Sequence, residues 1–183
     1  MFEVFEHTAD IGIIVRAASL EQLFKDAAEG MITLICQGPD PENQRQRNDS
    51  STAAKQTSRP WQPKGSRPSE SRDIEIGATG CLALPEIGTS PAASHDDVTL
   101  SSVWEDLLHD WLSTILYIFS AEHLIPVDYD IRFDSDRLKA RIDLRRYNPE
   151  KDGGEIEIKA VTYHGIRVEK RGGEFVAQVI FDT

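Results

Sequence analysis

Three short stretches of the chain hold residues whose types and spacing can do chemistry. The first is His7-Thr8-Ala9-Asp10-Ile11-Gly12, a polar knot between two apolar runs. An aspartate opening a strand, three residues after a histidine, can offer a carboxylate oxygen to a hard cation such as Ca²⁺ or Mg²⁺. The ordinary alternative is an Asx-type turn made by Asp10 and Thr8, with His7 a surface imidazole, and one H-x-x-D spacing does not decide between them. The second stretch is the C-terminal run Val179-Ile180-Phe181-Asp182-Thr183, where a strand stops at an aspartate followed by a last residue with further oxygen donors. It completes a hard-oxygen site with Asp10 if the two strand ends meet; otherwise it is a frayed, solvated end. The third is Glu157 to Gly165, in which Lys159 and His164 can bind phosphate or move a proton, or serve only as polar surface.

Other chemistries are missing from the sequence. It has no Gly-rich phosphate loop, no H-E-x-x-H zinc pattern and no serine nucleophile elbow. Cys36 and Cys81 are too few and too ill-spaced for a disulfide framework or a thiolate metal site, and both read as reduced thiols. The formal net charge is −11, from 20 Lys and Arg against 31 Asp and Glu. Such a surface repels the phosphate backbone, so direct, stable nucleic-acid binding is not expected. The longest apolar run, Trp111 to Phe119, is broken by Ser113 and Thr114 and falls short of the ~20 residues that span a bilayer. The first residues, Met1 to Glu6, lack a basic, apolar, small-residue leader pattern, so the expected location is cytoplasmic.

The elements that must position these residues are legible from periodicity. Leu20, Leu23, Phe24, Ala27, Ala28, Met31, Leu34 and Ile35 recur at helical spacing behind a Ser19-x-x-Gln22 capping box. A second helix is expected from Ser102, capped by Ser102-x-x-Glu105, with Val103, Leu107, Leu108, Trp111, Leu112, Ile115, Leu116 and Phe119 on one face. Strands are expected at 1–6, 11–17, 98–100, 129–133, 138–144, 155–163, 166–170 and 174–182, with turns at Asp152-Gly153-Gly154, His164-Gly165 and Gly172-Gly173. The clean alternation of Ile156, Ile158 and Ala160 with Glu157 and Lys159 marks a sheet packed on one face. Together these predict an α+β fold of two amphipathic helices on a mixed β-sheet. Between Gly38 and Asp97 lie seven of the nine prolines, and hydrophobic periodicity survives only in Ile74, Ile76 and the Cys81 to Leu84 patch. That composition does not offset its ordering entropy, so residues 38–97 read as a disordered insertion in a single domain spanning 1–183.

In the same three stretches the chain resembles the archease family. The resemblance is carried by Phe2 to Ile13, which includes H-T-A-D-I-G; by the helix with Leu23, Phe24, Ala27, Ala28, Gly30 and Met31; by D-L-L-x-D-W-L at Asp106 to Leu112; by I-K-A-V-T-Y-H-G at Ile158 to Gly165; and by V-I-F-D at Val179 to Asp182. It implies a non-catalytic activator of the RtcB-type RNA ligase of tRNA splicing and RNA repair. Such proteins promote guanylylation of the ligase histidine and allow multiple turnover. Carried onto this sequence, the family's divalent-metal cluster falls on Asp10 and Asp182 with Thr183, the ion being Ca²⁺, Mg²⁺ or Mn²⁺. His7, Lys159 and His164 take supporting or partner-facing roles. The chain departs from the pattern in the 38–97 segment, at Ser113-Thr114 where relatives carry a polar pair, and at Arg145 to Pro149.

Two other functions compete. A stand-alone metal-dependent hydrolase using Asp10, His7 and His164 would turn over substrate without a partner. A chaperone-like interaction module would tolerate loss of Asp10 and Asp182.

Overall fold

The computed structural model describes residues 1–7, 10–37, 57–58, 68–77, 96–134, 137–154 and 156–183, which form an α+β fold. In chain order the elements are β1 (Phe2–His7), β2 (Asp10–Ala17), α1 (Leu20–Gln37), β3 (Thr57–Ser58), β4 (Glu70–Gly77), α2 (Asp96–Glu122), β5 (Leu124–Asp134), β6 (Arg137–Arg146), α3 (Pro149–Asp152), β7 (Ala160–Arg171) and β8 (Glu174–Asp182). A five-stranded sheet runs β3-β1-β2-β8-β7, and a three-stranded sheet runs β4-β6-β5. Every pairing among the described strands is antiparallel, so where a mixed β-sheet is expected from sequence the fold has two antiparallel sheets.

The helix α1 follows its sequence signals closely. The Ser19 hydroxyl accepts the Gln22 N–H at 3.2 Å, but Gln22 does not close the box; its amide donates to Asp26 at 2.6 Å. Leu20, Leu23, Phe24, Ala27, Ala28, Met31, Ile32, Leu34 and Ile35 are all buried, a stripe wider than one sheet requires. The contacts give the reason: α1 packs on β1, β2 and β8 of the large sheet and also on β5 of the small one. α2 likewise touches β7 on one side and β4 and β5 on the other, so one core joins helices and sheets. Within the large sheet, Ile13 and Val15 of β2 sit across from Val179 and Ala177 of β8, and all four are fully buried.

Several expectations are corrected. α2 starts at Asp96, so 98–100 are helical, not a strand. Glu105 does not cap the helix; it accepts the Val168 N–H of β7 at 3.2 Å, while Ser101 donates to the Val168 carbonyl at 2.7 Å. One turn on, His109 Nε2 lies 3.2 Å from the Val161 carbonyl. Ser101, Glu105 and His109, spaced by four, thus lie along the outer edge of β7 and occupy backbone groups that an edge strand would otherwise present to other chains. The His164-Gly165 step is not a turn between two strands but a bulge within β7, where the register jumps from Thr162↔Ile180 to Arg167↔Gln178. Strand β7 begins at Ala160 rather than 155.

Within the span expected to be disordered, Glu70–Gly77 form β4, paired along its length with β6. Alternate residues Arg72, Ile74 and Ile76 are half-buried; Arg72 donates to both Glu122 oxygens at 2.8 and 2.9 Å, and Arg137 pairs with Glu75 at 2.6 Å. Residues 38–56, 59–67 and 78–95 lie outside the described residues, as does Cys81. Cys36 is buried at the end of α1, and burial, then the Asp152 carboxylate, push its thiol up to about 12, which makes it an inert core residue. Among the described residues no helix is long and apolar enough to cross a membrane.

The bulge depends on Gly165, whose φ is +72°, and its carbonyl is held by the Gln178 amide at 3.1 Å. A Cβ there would also come within 2.8 Å of Ile180 Cδ1. We expect Gly165→Ala to cost about 1–2 kcal/mol, read as a lowered urea midpoint with unchanged m-value. An unchanged midpoint would mean that the bulge relaxes without strain.

Candidate metal centre at the sheet end

Asp10 opens β2 and lies across from His7 in the β1–β2 register. On its other side β2 pairs with β8 from Ile11 against Phe181, and continuing that register by one residue sets Asp10 beside Asp182. Asp182 pairs in turn with Ala160 of β7, and its carbonyl accepts the Lys159 N–H at 2.8 Å. One row across four strands therefore runs His7, Asp10, Asp182, Ala160, with Thr183 and Lys159 at its margin. Residues directly opposite in antiparallel strands project to one face with Cα atoms about 4.5–5.5 Å apart, so the two carboxylates start side by side.

The neighbouring positions explain part of the sequence around Asp10. Gly12 lies two residues along the same face and directly across from Phe5. A Cβ at Gly12 would come 2.3 Å from Phe5 Cζ, so the glycine leaves room for that ring to lie over the strand beside Asp10. Asp10 and Thr183 are half-buried, while Asp182 and Lys159 are exposed. Thr8, which the Asx-turn alternative needs, and Ala9 lie outside the described residues.

His164 is not in this row. It sits in the β7 bulge, four residues beyond Ala160, with its carbonyl 3.2 Å from the Thr162 hydroxyl. The backbone thus brings together Asp10, Asp182, Thr183 and Lys159, places His7 at the far end of the same row, and sets His164 apart. The donor chemistry fits a hard divalent cation: two carboxylates and the oxygens of Thr183 are what Ca²⁺, Mg²⁺ or Mn²⁺ take. Among the described residues no three His, Cys, Asp or Glu side chains group closely enough to cage a metal. An ion at this pair would complete its shell from water or from a partner's groups.

The sequence reading missed the neighbouring group on α2 and β7. His109 stacks on Tyr163 with ring centroids 3.7 Å apart and planes at 17°, and its Nδ1 lies 3.0 Å from Asp110. The signal available was the spacing of Ser101, Glu105 and His109, a polar line at helical period beside the apolar face of α2.

The model of the archease protein family (MTH1598/TM1083) matches residues 2–59 and 85–183. The chain belongs to the archease family. Between its ends the match leaves out 60–84, so 38–59 and 85–97, expected to stand outside the family pattern, are part of it, whereas β4 is not. An archease of Methanosarcina acetivorans is 27% identical over 186 aligned positions, covering 99% of this chain and 94% of its own. One of Sulfolobus acidocaldarius is 24% identical, covering 99% and 97%. Among solved structures, the solution structure of Methanobacterium thermoautotrophicum protein 1598 superposes with a TM-score of 0.58 at 22% identity, covering 100% of this chain and 98% of that one. The crystal structure of a Thermotoga maritima archease, described as a possible chaperone, gives a TM-score of 0.50 at 19% identity over 98% and 94% of the two chains. At those identities the superpositions speak for the archease fold alone.

Proposed function

We propose that this archease activates an RtcB-type RNA ligase of tRNA splicing and RNA repair, promoting guanylylation of the ligase histidine and multiple turnover without catalysing a reaction itself. The observation that supports the reading is the β2–β8 register, whose end pair, Ile11 against Phe181, is the one next to Asp10 and Asp182. Asp10 and Asp182, with Thr183, would hold a divalent cation, and Lys159 and His7 flank them. When bound, such an ion supplies concentrated positive charge able to neutralise phosphate oxygens. The chain's own part is to offer oxygens on one rigid row of paired strands, where backbone hydrogen bonds fix their spacing. Net charge supports a protein partner rather than RNA: at −11, the surface is drawn to a basic, RNA-binding enzyme and repelled by RNA itself. The proposed place of action is the cytoplasm.

The test is ligation of RNA bearing a 3′-phosphate and a 5′-hydroxyl by the RtcB-type enzyme of the same cell, with GTP and Mn²⁺ and substrate in excess. The archease alone should join and cleave nothing. Added to the ligase, it should carry product well past one equivalent of enzyme. Absence of stimulation, or turnover by the archease alone, would overturn the reading, the second outcome in favour of a metal-dependent hydrolase.

A further inference from the structure

The row of carboxylates does not account for the outer face of α2. Its buried side carries Val103, Leu107, Leu108, Trp111, Leu112 and Ile115, so the opposite side presents Asp106, Asp110 and Tyr117 at one-turn and two-turn spacings. The β7 bulge adds Tyr163, laid against His109. Among the described residues the large apolar side chains left exposed are Met1, Tyr117 at 63% and Tyr163 at 56%, so two of the three stand on this face. Burial, then Asp110 and Asp106, hold the Tyr163 phenol above its ordinary value, which places its ring in the field of both carboxylates. The bulge is what aims the ring: it takes Tyr163 out of ladder register with β8.

We infer that this face, formed by Asp106, Asp110, Tyr117 and Tyr163, docks a basic, arginine-bearing surface of the protein that the archease activates. The inference rests on the ligase reading above. Exposed tyrosines beside carboxylates suit guanidinium groups, which stack on aromatic faces while pairing with carboxylates in two-pronged fashion. Tyr and Arg are also the residues on which interface energy concentrates. RNA is disfavoured, because its phosphates would meet Asp106 and Asp110. A second copy is disfavoured as well: a two-fold interface would set the same two carboxylates of each chain against their like.

The test measures affinity for the RtcB-type ligase of the same cell with wild type, Tyr117→Ala, Asp106→Lys and, as the control, Asp130→Lys, each checked for an unchanged melting temperature. Tyr117 is exposed, Asp106 is half-buried, and both lie off the buried side of α2, so these variants should fold. Each should weaken binding by about tenfold or more, Asp106→Lys chiefly through a slower and less salt-sensitive association. Asp130→Lys, the same change of charge on exposed β5 of the small sheet, should bind as wild type does. Wild-type affinity in both face variants, with wild type binding, would overturn the docking face and leave the ligase reading standing. No binding by wild type would overturn the ligase reading and this inference with it. A dimer of the archease alone that Tyr117→Ala dissolves would assign the face to a second copy and also overturn it.

Discussion

Replacing Asp152 by alanine will destabilise the protein by about 3–5 kcal/mol, because it strands a buried guanidinium. Arg145 and Asp152 form a two-pronged pair at 2.5 and 2.9 Å, with side chains only 7% and 4% exposed. Asp152 also accepts the Asn148 N–H at 2.8 Å, and Arg145 donates to the Arg146 carbonyl at 2.9 Å. The pair pins the α3 loop against the end of α1, where a side chain on Gly153 would strike the Cys36 carbonyl. Burial alone would raise the Asp152 carboxyl; Arg145 and the Asn148 N–H outweigh it, and the net shift is downward. A carboxyl depressed by folding contributes stability that is complete above its unfolded value, about 3.9, and lost as pH falls through the lower folded value. Urea unfolding at pH 7 and pH 3 checks both points: the gap between wild type and Asp152→Ala should narrow in acid. Arg145→Met with Asp152→Leu should recover much of the loss at pH 7, since apolar pairs of similar volume often replace buried ion pairs without penalty. A loss below 1 kcal/mol in the single variant would show that water reaches the pair.

Trp111→Ala is the second large effect, also about 3–5 kcal/mol. Trp111 is fully buried, meets Tyr129 edge-on at 6.1 Å, and donates its indole N–H to the Phe24 carbonyl of α1 at 3.1 Å. It therefore joins both helices to the small sheet, and its removal opens a cavity that rigid strands cannot fill. Trp111→Phe keeps most of the apolar volume and drops the hydrogen bond, so it should cost about 1–2 kcal/mol. Equal losses in the two variants would mean that the hydrogen bond, not the volume, dominates. Circular dichroism melts separate the cases.

How much of this was legible in sequence depends on whether the deciding contact is local. The helix α1 and the strand β8 come out almost residue for residue, because their apolar periods and end signals are local. The bulge does not: Gly165 at positive φ reads the same in a hairpin turn as in a bulge, and only the pairing of Arg167 with Gln178 distinguishes them. Ser102 and Glu105 mimic a cap, yet Glu105 finds its partner on β7, more than sixty residues away. β4 was hidden because its two isoleucines sit among polar residues: Ser71 and Glu75 find their partners on β6, and Arg72 finds its partner on α2. Asp10 and Asp182 were singled out as strand-end oxygen donors, but that the ends meet follows only from the β2–β8 register. The α2 face with Tyr163 combines two distant segments and left no local trace beyond a polar spacing.

In the proposed function Asp10 and Asp182 are the working centre of an activator. Multiple-turnover ligation by the RtcB-type enzyme, with wild-type archease against Asp10→Ala and Asp182→Ala at matched folding, tests it most directly. Both variants should fall to the level of ligase alone while melting within about 1 kcal/mol of wild type, as substitutions at a sheet end do. Full stimulation by either variant would contradict the account and place the activating surface elsewhere on the molecule.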